Sequence, residues 1–226
     1  MLGARVCTTV SVAAFVFGCT TEKPVADTAP PKLSSVTLEQ LRAFYYECEN
    51  KSSVVVQFQP ATDEMLVFLP GETARLPHVR SGSGARYSDG EVTYWSKGRE
   101  ALLQIRGATT RCVENRRQSV IEDAKLRGVD YWARGNEPGW RLEIYAHSLL
   151  FRTSYGQDRY AFAAPRPQVD QARGRTLYKA DEDGSSIAVQ IDGQTCHDSM
   201  SGERFESTVT VVLNGKGYRG CGLALH

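Results

Sequence analysis

The sequence predicts an all-β protein built as two compact β units in tandem. Three observations lead there. Short runs rich in Val, Ile, Tyr, Phe and Trp recur along the 226 residues, each bounded by Gly, Pro, Asn or Asp in turn-forming combinations. A helix-forming pattern near the middle is confined to residues 116–128. Of the six cysteines, Cys7 falls in the N-terminal apolar leader and Cys19 at its end, and the other four lie two on either side of that helix, where the economical pairing closes one bridge within each half.

The first 18 residues read as a signal peptide. Arg5 supplies the positive charge, an apolar run from Val10 to Phe17 follows, and no acidic residue precedes Glu22. Val16–Phe17–Gly18–Cys19 resembles a bacterial lipobox, so Cys19 is the expected site of lipidation. Thr20–Thr21 after it resembles the outer-membrane-directed kind, which places the protein in the cell envelope, facing the periplasm. Residues 19–36, with Pro24, Pro30 and Pro31 among small polar residues, form the anchor and a flexible tether. Thr37 with Gln40 three residues on predicts one short helical turn.

Beyond Cys19 the chain holds 26 basic and 26 acidic side chains. It divides evenly at Lys125, with 14 of each sign before the cut and 12 of each after it. Neither half has the cationic excess expected of a nucleic-acid partner. Cys48, Cys112, Cys196 and Cys221 permit three pairings. Cys48–Cys112 with Cys196–Cys221 suits an oxidising compartment. Zinc binding is disfavoured, because no two cysteines have the close spacing of a metal site, and no cofactor motif is present.

Residues 37–115 are expected to form the first unit. Strands are predicted over 44–49, 54–58, 65–69, 74–79, 91–95, 101–105 and 110–113. Pro60, Pro70–Gly71, the Ser81–Gly84 run, Ser88–Asp89–Gly90 and Gly107 separate them. Seven or eight short antiparallel strands suggest a small closed barrel, which leaves no free edge. Cys48 in the first strand and Cys112 in the last would clip the closing seam. Ser119 with Glu122 three residues on resembles a capping box for the linker helix, and Gly128 is its stop.

Residues 129–226 read as a second mainly-β unit, with strands over 141–145, 149–153, 159–162, 175–180, 186–191, 207–213 and 220–225. Pro165 and Pro167 mark a loop or edge. Asp181, Asp183 and Gly184 mark a turn.

The residues that suggest function sit in two turns joined by a strand. One is Ser81–Gly82–Ser83–Gly84–Ala85–Arg86–Tyr87; the other ends Tyr94–Trp95–Ser96–Lys97–Gly98. Lys97 shares the parity of Thr93 and Trp95, and patterning alone permits an ordinary hairpin with a solvated lysine. His197 and Asp198, among Cys196, Ser199 and Ser201, are the best hydrolase candidates. Adjacent strand residues diverge, so turn chemistry explains them better.

The S-G-x-x-Y loop, the Tyr94–Trp95–Ser96–Lys97–Gly98 segment, Cys48 and Cys112 together resemble the MliC/PliC family of c-type lysozyme inhibitors, over residues 44–114. The resemblance implies an eight-stranded antiparallel barrel, often on an outer-membrane lipoprotein. It also implies a stoichiometric inhibitor rather than an enzyme, with c-type lysozyme as partner. Ser83 and Lys97 would enter the enzyme cleft against its two catalytic carboxyl groups, helped by Gly84 and Gly98, with Tyr87 bracing the first loop and part of its ring in the lysozyme interface. Arg99 stands where the family often has an acid. The second half resembles an uncharacterised envelope domain marked by Gly135–Asn136–Glu137–Pro138–Gly139–Trp140, by Cys196 through Gly202, and by Gly220–Cys221. Pairing of Cys196 with Cys221 follows from that pattern too. The alternatives are a non-inhibitory envelope module that binds glycan or protein, and a hydrolase in the C-terminal half.

Overall fold

The structure, a computed structural model, describes residues 42–164 and 166–226. The signal peptide, Cys19, the tether and the turn expected at Thr37 lie outside the described residues. Eight antiparallel strands close into a barrel: β1 (Arg42–Cys48), β2 (Ser53–Gln59), β3 (Glu64–Leu69), β4 (Glu72–Val79), β5 (Ala85–Ser88), β6 (Val92–Lys97), β7 (Glu100–Ile105) and β8 (Ala108–Glu114). Alternate residues face inward, so Val56, Val67, Leu76, Tyr94 and Leu103 fill the interior. Two buried tyrosines meet there, with Tyr94 Oη donating to Tyr46 Oη at 2.8 Å, so neither hydroxyl is left unpaired.

The strand spans extend the predicted ones by a residue or two at most ends. β5 is the exception. Its four residues lie between two turn clusters, and the sequence reading absorbed them into a loop. The closing seam pairs Cys48 directly with Cys112, and the two are disulfide-bonded.

Helix α1 (Arg116–Leu126) follows. Its cap is not Ser119. The Asn115 side chain accepts from Gln118 N at 3.2 Å and donates to Glu47 Oε1 at 2.9 Å. Ser119 lies inside the helix, and its Oγ accepts from Tyr45 N at 2.9 Å. The capping-box pattern is genuine as a pattern, but the serine hydroxyl is used across to the barrel instead. Gly128, at φ +76°, ends the helix as expected.

The second unit is one antiparallel sheet in the order β12-β11-β10-β9-β19-β18-β15-β14-β13. Its strands are β9 (Tyr131–Asn136), β10 (Gly139–Ile144), β11 (Ser148–Thr153), β12 (Asp158–Ala163), β13 (Gln168–Asp170), β14 (Arg175–Glu182), β15 (Ser185–Asp192), β18 (Ser207–Leu213) and β19 (Lys216–Ala224). A two-residue ladder of β16 (Cys196–His197) and β17 (Arg204–Phe205) stands apart. The edge strand β13 has three residues and follows Pro167, in keeping with the expected edge. Asp183 (φ +50°) and Gly184 (φ +74°) make the β14–β15 turn, while Asp181 belongs to the strand.

One face of this sheet buries Leu142, Phe151, Val189, Val209 and Val211. A separate cluster joins the helix to the sheet, with Ile121 and Ala124 packing among Trp132, Phe205 and Leu225. Cys196 and Cys221 form the second disulfide.

The seam bridge closes a loop with a sequence separation of 64. Replacing Cys48 and Cys112 together by alanine is expected to destabilise the protein by roughly 4 kcal/mol, through the greater freedom of the unfolded chain. Urea denaturation monitored by tyrosine fluorescence checks this. A loss below about 1 kcal/mol would show that the barrel seam holds without its cross-link.

Candidate functional site

The two turns picked out in the sequence lie side by side on one rim. β5 and β6 pair in a register that sets Ala85 opposite Ser96, so the loop before β5 meets the end of β6. Trp95 Nε1 donates to the Ser83 carbonyl at 2.8 Å. Ser81 Oγ donates to the Gly84 carbonyl at 2.9 Å. These bonds hold the loop backbone, while the Ser83 hydroxyl stays exposed and makes no hydrogen bond to any described residue.

Gly84 fixes the spacing. Its φ is +71°, and a methyl group there would sit 2.2 Å from the Ser96 carbonyl oxygen and 3.3 Å from Lys97 Cβ. Only glycine allows this approach. Gly98, at φ +63°, serves the hairpin between β6 and β7. Lys97 is exposed and points outward with Trp95, as their shared parity requires. It pairs across the hairpin with Glu100, but makes no ion pair with any described residue.

Ser83 and Lys97 line the same depression, of about 450 Å³, with Trp95, Leu102, Val113 and Glu49 among its other walls. Val113 is 51% exposed and Trp95 37%, so a cation and a hydroxyl border an apolar surface. Sequence reasoning missed Leu102 and Val113, which reach the rim from β7 and β8, while Glu49 reaches it from the turn after β1. For Trp95 the signal was present in its parity with Lys97.

Tyr87 is placed differently from the other four site candidates. It is 6% exposed, with its ring against His78, Phe58 and Tyr94 inside the barrel. Its cross-strand partner is Tyr94, so alternation sends both rings inward. Tyr87 can brace the loop from below, but it presents no ring to a partner. Arg99 is held away from Lys97, its guanidinium donating to the Glu114 carbonyl at 3.0 Å. Of the acids near the two turns, Glu49 lies at the depression. Glu47 is tied to Asn115, and Asp89 accepts from the backbone of Glu91 and Val92 in its own turn.

In the second unit the motifs converge on Asp198, which is 4% exposed. One oxygen accepts from Ser201 N and Ser201 Oγ, both at 2.8 Å, and from Met200 N at 3.2 Å. The other accepts from Asn136 Nδ2 at 3.0 Å and faces Arg134 at 3.2 Å. Burial would raise this carboxyl, but Ser201, Asn136 and Arg134 outweigh it and hold the group well below the usual carboxylate range. So committed a carboxylate organises a turn. His197 is exposed and makes no hydrogen bond to Asp198 or to a serine among the described residues. Trp140 is buried, donates to the Arg219 carbonyl at 3.2 Å, and packs where Gly135 and Gly220 leave no room for a Cβ. The two motifs are therefore joined by packing and by the Asn136–Asp198 bond.

A small closed barrel with two juxtaposed turns on one rim defines a rigid presenting scaffold. Residues 46–111 match the family described as "Membrane-bound lysozyme-inhibitor of c-type lysozyme". They make up an MliC-like domain, and the second sheet follows it in the chain. A relative described as "Membrane-bound lysozyme inhibitor of C-type lysozyme" in Yersinia enterocolitica is 34% identical over 82 residues, 36% of this chain and 61% of that protein. A Pseudomonas aeruginosa relative of the same description is 37% identical over 65 residues, 27% of this chain and 51% of that protein. The chain thus spans 51–61% of the length of these curated relatives. A crystal structure of Pseudomonas aeruginosa MliC in complex with hen egg white lysozyme is 35% identical, covering 33% of this chain and 82% of that one, with TM-score 0.29.

Gly84→Ala is expected to destabilise the barrel by at least about 1 kcal/mol, since it combines a left-handed φ with a backbone clash. A thermal melt unchanged from the parent would refute this. The Asp198 turn sets a pH dependence. A carboxyl lowered on folding contributes stability above its unfolded pKa, and that stability fades as pH falls through the folded value. The melting temperature should therefore drop below roughly pH 4. Asp198→Ala should shrink the difference between melts at pH 6 and pH 3; an equal drop in both proteins would show that other groups dominate.

Proposed function

We propose that the barrel is a stoichiometric inhibitor of c-type lysozyme and that Ser83 and Lys97 enter the enzyme's cleft. The observation behind this reading is the exposed rim on which an ammonium and a hydroxyl, neither with a partner among the described residues, stand on two turns whose backbones Gly84 brings together. The family match over residues 46–111 and the descriptions of the relatives support the same class of partner.

A c-type lysozyme works with one protonated and one ionised carboxyl group across its cleft. Lys97 supplies charge-assisted hydrogen bonds to the ionised group, and the Ser83 hydroxyl can donate to or accept from either partner. Trp95, Leu102 and Val113 extend the contact beyond the two polar groups, as an interface of ordinary size requires. The cation also gives selectivity, because its desolvation is offset only where an acid receives it. Occlusion of the cleft needs no cofactor, and nothing is turned over.

Attachment to the envelope through a lipid on Cys19 belongs to the same proposal. Among the described residues no helix is long and apolar enough to cross a membrane.

Titration of hen lysozyme with the purified chain, following lysis of a bacterial cell-wall suspension, should show inhibition saturating near equimolar ratio. Lys97→Ala is expected to weaken it by roughly 2 kcal/mol, about thirty-fold in the inhibition constant, and Ser83→Ala by less. Equal potency of parent and both variants would exclude the insertion mechanism. Undiminished lysis in excess protein would exclude inhibition itself.

A further inference from the structure

The register of the second sheet aligns a row of arginines that the inhibitor reading leaves unused. β9 and β10 set Arg134 opposite Arg141, β10 and β11 set Arg141 opposite Arg152, and the row continues to Arg159 on β12. Directly paired residues share a sheet face, and like charges placed so repel. Glu143 on β10 is the carboxylate beneath them and is 1% exposed. Its oxygens are already taken. Arg127 donates to Oε1 at 2.9 Å and to Oε2 at 3.1 Å, and the Tyr145 hydroxyl donates to Oε2 at 3.2 Å.

Arg141 and Arg152 approach the same carboxylate only to 3.5 and 3.8 Å. Those distances give attraction without a hydrogen bond. Burial draws the Arg141 pKa below the usual arginine value; Glu143 opposes this, while Arg152 and Arg127 draw it down further. Arg134 turns toward Asp198 and Glu203, and its buried Nε has no partner among the described residues. One carboxylate thus serves Arg127, Arg141 and Arg152, and Arg141 and Arg152 make no hydrogen bond to it among the described residues.

An independent feature borders the same place. Arg134, Arg141 and Arg152 line a depression of about 420 Å³ with Asn136, Tyr155 and Met200. Tyr155 is 90% exposed. Ser154 (φ +51°), Tyr155 (φ +57°) and Gly156 (φ +91°) are consecutive left-handed residues, two of them carrying a Cβ. This unfavourable backbone holds the Tyr155 ring over Gly139, where a Cβ would lie 3.0 Å from the ring. An open aromatic face is therefore kept next to arginine forks.

We propose that this depression binds an acidic saccharide, a sugar bearing a carboxylate or a phosphate. Arg141 and Arg152 would hold the anion through paired N–H donors, a geometry suited to both groups. The Tyr155 ring offers a flat apolar surface to the C–H face of the sugar. A bare anion leaves the strained tyrosine without a purpose, and a neutral sugar does the same for the arginines.

Calorimetric titration of the full chain tests this with N-acetylmuramic acid and glucose 6-phosphate as the carboxylate and phosphate probes. N-acetylglucosamine, acetate and inorganic phosphate are the controls. At least one acidic sugar is expected to bind tenfold or more tightly than the neutral sugar and than its bare anion. Arg141→Gln should weaken that binding at least tenfold, and Tyr155→Ala should reduce it to the level of the bare anion, with lysozyme inhibition unchanged in both. Tyr155 is exposed, so its variant remains informative if Arg141→Gln does not fold. The proposal is overturned if neither acidic sugar binds, if a control binds as tightly, or if Tyr155→Ala leaves the affinity unaltered.

Discussion

The described part of the molecule depends on a polar relay that begins where the barrel seam runs short. β1 pairs with β8 only from Tyr46 to Cys48, which leaves the earlier residues of β1 without a strand on that side. Helix α1 fills the gap with side chains. Ser119 Oγ accepts from Tyr45 N, and Asp123 Oδ1 accepts from Ala43 N at 3.4 Å. The other Asp123 oxygen receives Arg127 Nε at 3.1 Å, and the same guanidinium grips buried Glu143 on β10. Backbone of the barrel, helix and second sheet are thereby connected through three ionised groups. Burial would raise the Glu143 carboxyl, but Arg127, Arg141 and Arg152 keep it below its ordinary value. Removing one member of such a buried set leaves the others charged and unpaired, which is far worse than never having built it.

Much of the barrel was legible because its information is local. Alternating apolar residues, glycine-rich turns and a cysteine at each end specify short strands and their closure without reference to distant partners. β5 escaped because four residues between two turn clusters give periodicity too little length to register. The helix was legible in composition but not in its cap. A serine three residues before a glutamate carries the same pattern whether its hydroxyl closes a helix end or reaches a neighbouring strand. At the rim, Ser83 and Lys97 stand out in sequence, whereas Leu102 and Val113 become neighbours only through the register of β6, β7 and β8.

The second sheet was harder, for a reason of topology. β19 pairs with β9, setting Cys221 opposite Arg134, and no local pattern announces contacts between residues so far apart. The Gly135–Trp140 and Cys196–Gly202 motifs were visible as letters, but their meaning is the packing of Trp140 against glycine backbone and the seating of Asn136 on Asp198. The arginine row is the extreme case. Its members are scattered in sequence, each unremarkable alone, and only three successive pairings put them in line.

The contact at Gly84 has a consequence for what the rim can tolerate in a partner. Strand β6 and the loop before β5 touch with no space for a single methyl group, so the separation of the backbones that carry Ser83 and Lys97 is decided during folding. Such a surface behaves like a gauge with a fixed jaw. A partner that meets this rim finds no give in its backbone, and any adaptation on this side falls to the flexible stem of the exposed lysine.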